Sequence, residues 1–171
     1  MPYAPSPDAR SDDPYGRFNF RVKWNGRYVA AVNKASALRR TTDIVLFSEG
    51  MHPDDLVDLG RIEYEPISLE GGVTYDVDFD TWARRTREVR TELGKDFSPA
   101  TVARDILLEF HNDSGELVYV YNIDRCWPSE YLATPKREAG ADAVIIEMLV
   151  LQNAGWRRDE AVTPPDDPNF F

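Results

Sequence analysis

The chain has 171 residues, and its 30 aspartates and glutamates against 20 lysines and arginines give a formal net charge of -10. This length fits one domain with short tails. The acidic balance disfavours binding to nucleic acid or to anionic membranes. A single cysteine, Cys126, excludes an internal disulfide. The sequence shows neither a signal-peptide pattern nor an apolar run near the roughly 20 residues of a membrane span.

Residues 18–32, FNFRVKWNGRYVAAV, contain the clearest pattern in the chain. Apolar and polar residues alternate on both sides of Asn25-Gly26, a dipeptide that favours the type I′ turn of a β-hairpin. The second face of this hairpin carries Arg21, Lys23 and Arg27, although the chain as a whole is acidic. The pattern predicts two paired strands and leaves the use of the basic face open.

The stretch from residue 43 to residue 72 predicts strands separated by one long loop. DIVLF at 43–47 is a short apolar run typical of a strand. SEGMHPDDLVDLG at 48–60 is acidic, bounded by glycines and interrupted by a proline, so we expect an excursion without regular structure. In RIEYEPISLEGG at 61–72, the alternation slips at Glu65-Pro66, which predicts a bulge or a sheet edge.

One helix and a second hairpin are expected in the remainder. Apolar residues recur every three or four positions from Asp78 onward, and Gly94 is suited to end that helix. Strand patterns then flank the turn HNDSG at 111–115. A further turn region is expected at 133–142. AVIIEMLVL at 143–151 predicts a last strand that is buried on both faces.

The sequence offers no constellation of catalytic residues. His52 and His111 are isolated, without the partners that a zinc site needs. DVDFD at 76–80 resembles the start of a calcium loop, but Thr81 and Arg87 occupy the positions where an EF-hand has glycine and glutamate. We therefore expect no catalytic residue, no metal site and no cofactor, and we predict that the protein is not an enzyme.

Five motifs, in this order, resemble the tail-tube protein family, the inner-tube subunits of contractile phage tails and of contractile injection systems. They are DPYGRFNFRVKWNG (13–26), SALRRT (36–41), SEGM (48–51), YEPISLEGGVTYDVDF (64–79) and DRCWPSEY (124–131). The resemblance covers about residues 13–158. It implies a mainly β fold, a sandwich or barrel with one helix. It also implies hexameric rings that stack, their strands joining into a continuous barrel that lines a tube.

The resemblance further implies a domain division and a set of partners. Residues 14–158 would form the tube domain, 1–13 a flexible arm and 159–171 a C-terminal tail. Partners would be copies of itself or paralogous tube subunits, the sheath protein, baseplate or spike proteins, and the cargo in the lumen. Assembly would take place in the bacterial cytoplasm, within a phage tail or an injection particle.

The resemblance also assigns candidate surfaces. In the family the excursion contacts the neighbouring ring, so the candidate ring–ring residues are Phe47, Ser48, Glu49, Gly50, Asp54, Asp55 and Asp58. Arg21, Lys23 and Arg27 would face the lumen or an interface. The family usually has basic residues where this chain has Asp54, Asp55 and Asp58. We therefore hypothesise that the excursion selects a partner ring that bears basic residues.

Two alternatives stay open from the sequence. The first is a specialised adaptor or initiator ring of the same fold at the baseplate. The second, from a different class, is a monomeric β-barrel that binds a ligand, which would require a pocket with convergent polar groups.

Overall fold

The computed structural model describes residues 13–46, 57–93, 102–138 and 141–165. Within these ranges the chain forms nine strands and one helix. In chain order they are β1 (Phe20–Trp24), β2 (Arg27–Ala35), β3 (Arg40–Leu46), β4 (Val57–Tyr64), β5 (Ile67–Thr74), α1 (Val77–Leu93), β6 (Arg104–His111), β7 (Leu117–Glu138), β8 (Ala141–Gln152) and β9 (Gly155–Arg158).

Six of these strands close into a barrel. Their order is β6-β1-β2-β5-β8-β7, and β7 pairs back to β6. The long strand β7 makes this closure because its first part, as far as Cys126, pairs with β6 and its remainder, from Trp127, pairs with β8. The short strand β9 pairs with β7 at Tyr121–Asp124. The prediction of a mainly β barrel with one helix is confirmed.

The first hairpin has the predicted turn. Asn25 and Gly26 adopt φ values of 48° and 77°, the left-handed conformation that a type I′ turn requires. Beyond the turn, β1 and β2 pair from Trp24 opposite Arg27 to Phe20 opposite Val32. The apolar face of the hairpin points into the barrel, where Val22 and Trp24 are buried.

Helix α1 contributes aromatic side chains to the barrel core. Phe79 and Trp82 both lie 5.4 Å, between ring centroids, from Trp24 of β1. The indole N–H of Trp82 donates a hydrogen bond to the carbonyl of Val102. The Asp76 carboxylate caps the helix by accepting from the backbone N–H of Phe79 at 3.0 Å. The predicted helix start near Asp78 is thus confirmed, whereas Gly94 lies outside the described residues.

Two loop predictions are wrong. Residues 57–60, placed in the excursion, belong to β4. In the turn region expected at 133–142, residues 133–138 instead complete β7 and residues 141–142 begin β8, while 139–140 lie outside the described residues. Pro135 suggested a turn, but a proline is tolerated there because this part of β7 pairs with β8 alone among the described strands.

Two strand predictions also need correction. Glu65-Pro66 is a break at which the chain leaves β4 and enters β5 in a different sheet. Strand β8 is not buried on both faces: Ile146, Leu149 and Leu151 are buried, whereas Ile145, Met148 and Val150 are only half-buried and Glu147, the one charged residue of the pattern, is exposed. Glu147 lies at a bulge, because Leu132 and Ala133 of β7 oppose Met148 and Ile146.

Replacing Phe79 should test how strongly the helix depends on the barrel core. Phe79 is completely buried, so Phe79→Ala should lower the free energy of unfolding by about 3–5 kcal/mol through lost burial and a new cavity. Urea denaturation measures the change. The matched control is Val77→Ala, since Val77 lies on the same helical turn but is 75% exposed. Equal losses in both variants would contradict this account of the core.

Candidate assembly surfaces

Strands β3 and β4 form a separate two-stranded sheet, here called the arm. They pair from Arg40 opposite Tyr64 to Leu46 opposite Val57. Ile44 and Ile62 of the arm are 65% and 50% exposed. The pairing of Ile62 with Thr42, two residues before Ile44, places both isoleucines on one face. A β-ribbon with exposed isoleucines and unshared edges is suited to contact another chain.

The base of the arm is fixed to the barrel through β9. Tyr64 packs edge-on against Trp156, with ring centroids 6.0 Å apart, and Trp156 makes the same type of contact with Tyr121 of β7. A Cβ atom at Gly155 would come within 3.3 Å of the Tyr64 ring, so glycine allows this close approach. The Asn153 amide donates to the carbonyl of Glu65. The barrel thus determines where the arm begins.

Of the predicted ring–ring residues, the structure describes the backbone of Asp58 alone. Asp58 belongs to β4, where its Cα lies opposite that of Val45. The others, Phe47, Ser48, Glu49, Gly50, Asp54 and Asp55, fall outside the described residues. Between residues 40 and 64 the sequence holds six carboxylates and two arginines, so this part of the chain is strongly acidic. Its role in ring contacts remains a prediction.

The three basic residues of the first hairpin do not share one environment. Arg21 is 7% exposed, and its Nη1 lies 3.2 Å from the Asp13 carboxylate. Arg21 and Lys23 each lie 5.4 Å from the ring centroid of Tyr28. Arg27 instead binds residues at the start of α1. In the single subunit, Arg21 is therefore a buried structural cation.

Sequence reasoning missed a buried polar network beside Arg21. The Tyr28 hydroxyl donates to Glu109 Oε1 at 2.9 Å, and His111 Nε2 lies 3.2 Å from the same oxygen. Burial, together with the Glu109 carboxylate, raises the pKa of Tyr28 to about 12. The sequence of β6 could have indicated this network, because Glu109 and His111 alternate there with the apolar residues Leu108 and Phe110. The second face of the hairpin is thus partly covered within the subunit.

A second surface, here called the arginine cleft, surrounds Arg27, Arg85 and Arg104. Its volume is about 410 Å³, and Asn25, Asp78, Thr81 and Trp82 complete its lining. Arg27 Nε lies 3.0 Å from Asp76 and its Nη2 lies 3.1 Å from Asp78. The Arg104 guanidinium stacks 4.6 Å from the Trp24 ring centroid. These contacts hold two of the three guanidinium groups in place.

The arm and the arginine cleft lie at opposite ends of strand β2. This strand begins at Arg27, in the cleft, and ends at Ala35, from which a short connector leads to the arm. Its nine residues span roughly 26 Å at the rise of about 3.3 Å per residue of a β-strand. The subunit therefore has two different ends, one extended by the arm and one lined with arginines.

Comparison with known proteins identifies the family. Residues 16–157 match the model of the T4-like virus tail tube protein gp19. The chain belongs to this tail tube family. The protein is therefore a structural tube subunit, and the expectation of this family from the sequence is confirmed. No curated protein matches the sequence.

Two solved structures share the fold of this tail tube protein. A chain of the structure described as the anti-feeding prophage baseplate, 6-fold symmetrised, is 17% identical, with a TM-score of 0.52 over 83% of this chain and 93% of that chain. A chain of the sheath/tube terminator of the PVC extracellular contractile injection system, in the extended state, is 16% identical. Its TM-score is 0.52 over 83% of this chain and 94% of that chain.

Two further observations concern the described part of the tail tube protein. No cluster of three or more histidine, cysteine, aspartate or glutamate side chains there could hold a metal ion. Helix α1, the one helix among the described residues, is not long and apolar enough to span a membrane.

The Arg27 ion pairs should make stability depend on pH. Burial alone would raise the pKa of Asp76, but hydrogen bonds from Arg27 and from the Phe79 N–H lower it below its usual value. A lowered carboxyl pKa stabilises the folded state at neutral pH, and this stabilisation is lost as pH falls through that pKa. Arg27→Gln should therefore lower the urea midpoint at pH 7, and its difference from the parent should shrink as pH falls below the usual aspartate pKa of 3.8 and through the lowered pKa of Asp76.

The control for this prediction is a double-mutant cycle with Asp76→Asn. Once Asp76 is neutral, the added effect of Arg27→Gln at pH 7 should shrink. An undiminished effect in the Asp76→Asn background would show that Arg27 acts through other contacts.

Proposed function

We propose that this tail tube protein forms six-membered rings that stack head to tail into the hollow inner tube of a contractile particle. The observation that carries the proposal is the arm, a β-ribbon outside the barrel with Ile44 and Ile62 exposed. In the proposed tube, the arm packs against the next ring and its isoleucines become buried. The sixfold symmetry stated for the related baseplate structure supports a ring of six.

The different ends of the subunit support a head-to-tail arrangement. A contact between two unlike surfaces that does not close into a ring can repeat along an axis, so it builds an open-ended stack. Here the acidic arm of one ring would meet the arginine cleft of the next. The partner ring with basic residues, hypothesised from the sequence, is then a ring of the same protein. Asp54, Asp55 and Asp58 would face Arg85 and Arg104 across the contact.

The remaining roles follow from this tube. The sheath protein would surround it, a baseplate would begin it, and cargo would pass through its lumen after assembly in the bacterial cytoplasm. The net charge of -10 suits such a channel, because an acidic wall repels DNA and acidic proteins.

A specialised ring at the baseplate is the second candidate. It is favoured by the acidic residues of the excursion, which could equally recognise basic residues of a different protein. In that case the arginine cleft of this chain would not be the acceptor, and the purified protein would form rings that do not stack.

Removing the apolar face of the arm should prevent stacking. The variant Ile44→Ser with Ile62→Ser should fold and form rings, because neither side chain is part of the barrel core, but it should not form tubes. Negative-stain electron microscopy and sedimentation velocity distinguish single rings from stacks. As a control, Leu132→Ser removes an exposed apolar residue on the barrel and should leave tubes intact. Normal tubes from the double arm variant would contradict the proposal.

Charge reversal at both ends tests which partner the arm selects. Asp54→Lys with Asp55→Lys and Asp58→Lys should abolish tubes, as should Arg85→Glu with Arg104→Glu alone. Combining all five substitutions in one chain should restore tubes, because every reversed charge again meets its opposite.

The outcome of this experiment separates the two candidates. Failure of the combined variant, with each barrel still folded, would favour a foreign basic partner and hence the specialised ring. Glu130→Lys with Glu147→Lys serves as the charge control, since both glutamates are exposed on the barrel and should not affect stacking.

A further inference from the structure

The barrel is open at the end from which the arm extends. A cavity of about 530 Å³ lies there, here called the aromatic mouth. Its principal lining residues are Phe20, Leu38, Phe110, Tyr119, Tyr121 and Trp156. The rings contact one another around it: Phe20 and Phe110 are 5.1 Å apart, and Phe110 stacks on Tyr119 at 6.3 Å. A large aromatic cavity that opens to the surface is suited to receive apolar side chains.

The chain returns to this mouth after its last strand. The backbone N–H of Asp159 donates to the carbonyl of Val120 at 2.8 Å, beside the two tyrosines of the mouth. The Arg158 guanidinium lies 4.5 Å from the ring centroid of Tyr119. The N–H of Val162 then donates to the carbonyl of Asp159, which turns the chain. Pro165, three residues later, is the last residue that the structure describes.

The next residues have the composition that the mouth would accept. Residues 166–171 read DDPNFF, and six residues can span roughly 20 Å when extended. Phe170 and Phe171 are therefore within reach of the aromatic rings. Asp166 and Asp167 would lie near Arg158, which is exposed beside Tyr119. Both the apolar and the charged parts of the segment thus have complementary groups.

Other segments of the chain are less well placed. Residues 47–56 follow β3, whose seven residues carry the chain roughly 20 Å away from the barrel. The segment before Asp13 begins beside Arg21 and Tyr15, on the outer side of the sheet. Residues 166–171, by contrast, follow a described stretch that contacts the mouth at Val120 and Tyr119.

We propose that residues 166–171 fold back onto their own barrel and place Phe170 and Phe171 in the aromatic mouth. The two phenylalanines then pack on the aromatic rings of the mouth, beside the base of the arm. This inference is independent of ring stacking, since it concerns contacts within one subunit.

Cysteine cross-linking in the full chain tests the proposal. Phe171→Cys paired with Leu38→Cys should form a disulfide within one chain under mild oxidation. The control pair replaces Leu38→Cys by Ser114→Cys, an exposed position in the β6–β7 turn. Docking should make the first pair form at least ~10-fold faster, because it raises the effective concentration of the two thiols. The native Cys126 should not interfere, since burial raises the pKa of its thiol to about 12.

Two outcomes would overturn the proposal. Equal rates for the two pairs would show that the segment does not prefer the mouth. A disulfide that links two differently tagged chains, instead of closing within one, would show that the occupant comes from a neighbouring subunit.

A second measurement does not depend on introduced cysteines. Phe170→Ala with Phe171→Ala should leave the barrel folded but open the mouth, so that binding of an apolar fluorescent dye rises severalfold and the amides of Tyr119 and Tyr121 exchange hydrogen faster. Asn169→Ala, in the same segment, should change neither. Unchanged dye binding and exchange in the double phenylalanine variant would contradict docking.

Discussion

The structure depends on the closure of the barrel by strand β7. This strand of 22 residues pairs with β6 through its first part and with β8 through its remainder. Closure gives nearly every strand two neighbours and leaves an interior small enough for side chains to fill. Val22, Ile123 and Ile146, from three different strands, are completely or almost completely buried there. The barrel interior is thus filled by side chains, and elements outside the barrel are attached to it at defined contacts.

Closure also explains why the assembly surfaces lie at the ends of the subunit. Barrel strands have few free edges to offer a partner, whereas the arm and the loops around α1 lie outside the closed sheet. The arm begins where Tyr64 packs on Trp156 of β9, which itself pairs with β7. The arginine cleft forms where the β1–β2 turn meets the start of α1. Each surface is positioned by its contact with the barrel.

Local patterns in the sequence were sufficient for some elements and not for others. The first hairpin was predictable because Asn25-Gly26 and the alternation around it act within 15 residues, and the helix start was predictable from its aspartates. The length of β7 was not predictable from local patterns, because Pro135 and its polar neighbours are typical of turns. They are tolerated where a strand has one neighbour among the described strands.

The arm was also missed, since alternation does not reveal which sheet a strand joins. The network of Arg21, Tyr28, Glu109 and His111 arises from pairing of β1 with β6, about 90 residues apart, which no local pattern encodes.

The charge distribution accounts for how an acidic subunit can associate with copies of itself. A net charge of -10 opposes association between identical subunits at long range. At physiological salt, however, charges more than about 8 Å apart are largely screened, so the groups in direct contact decide the outcome. In the proposed tube, the acidic stretch of residues 40–64 in one subunit and the exposed arginines of the next would make the interaction between these groups attractive for head-to-tail contacts. The same arrangement disfavours contact of two arms, because carboxylates would then face carboxylates. Polarity of the stack would follow from charge placement as well as from shape.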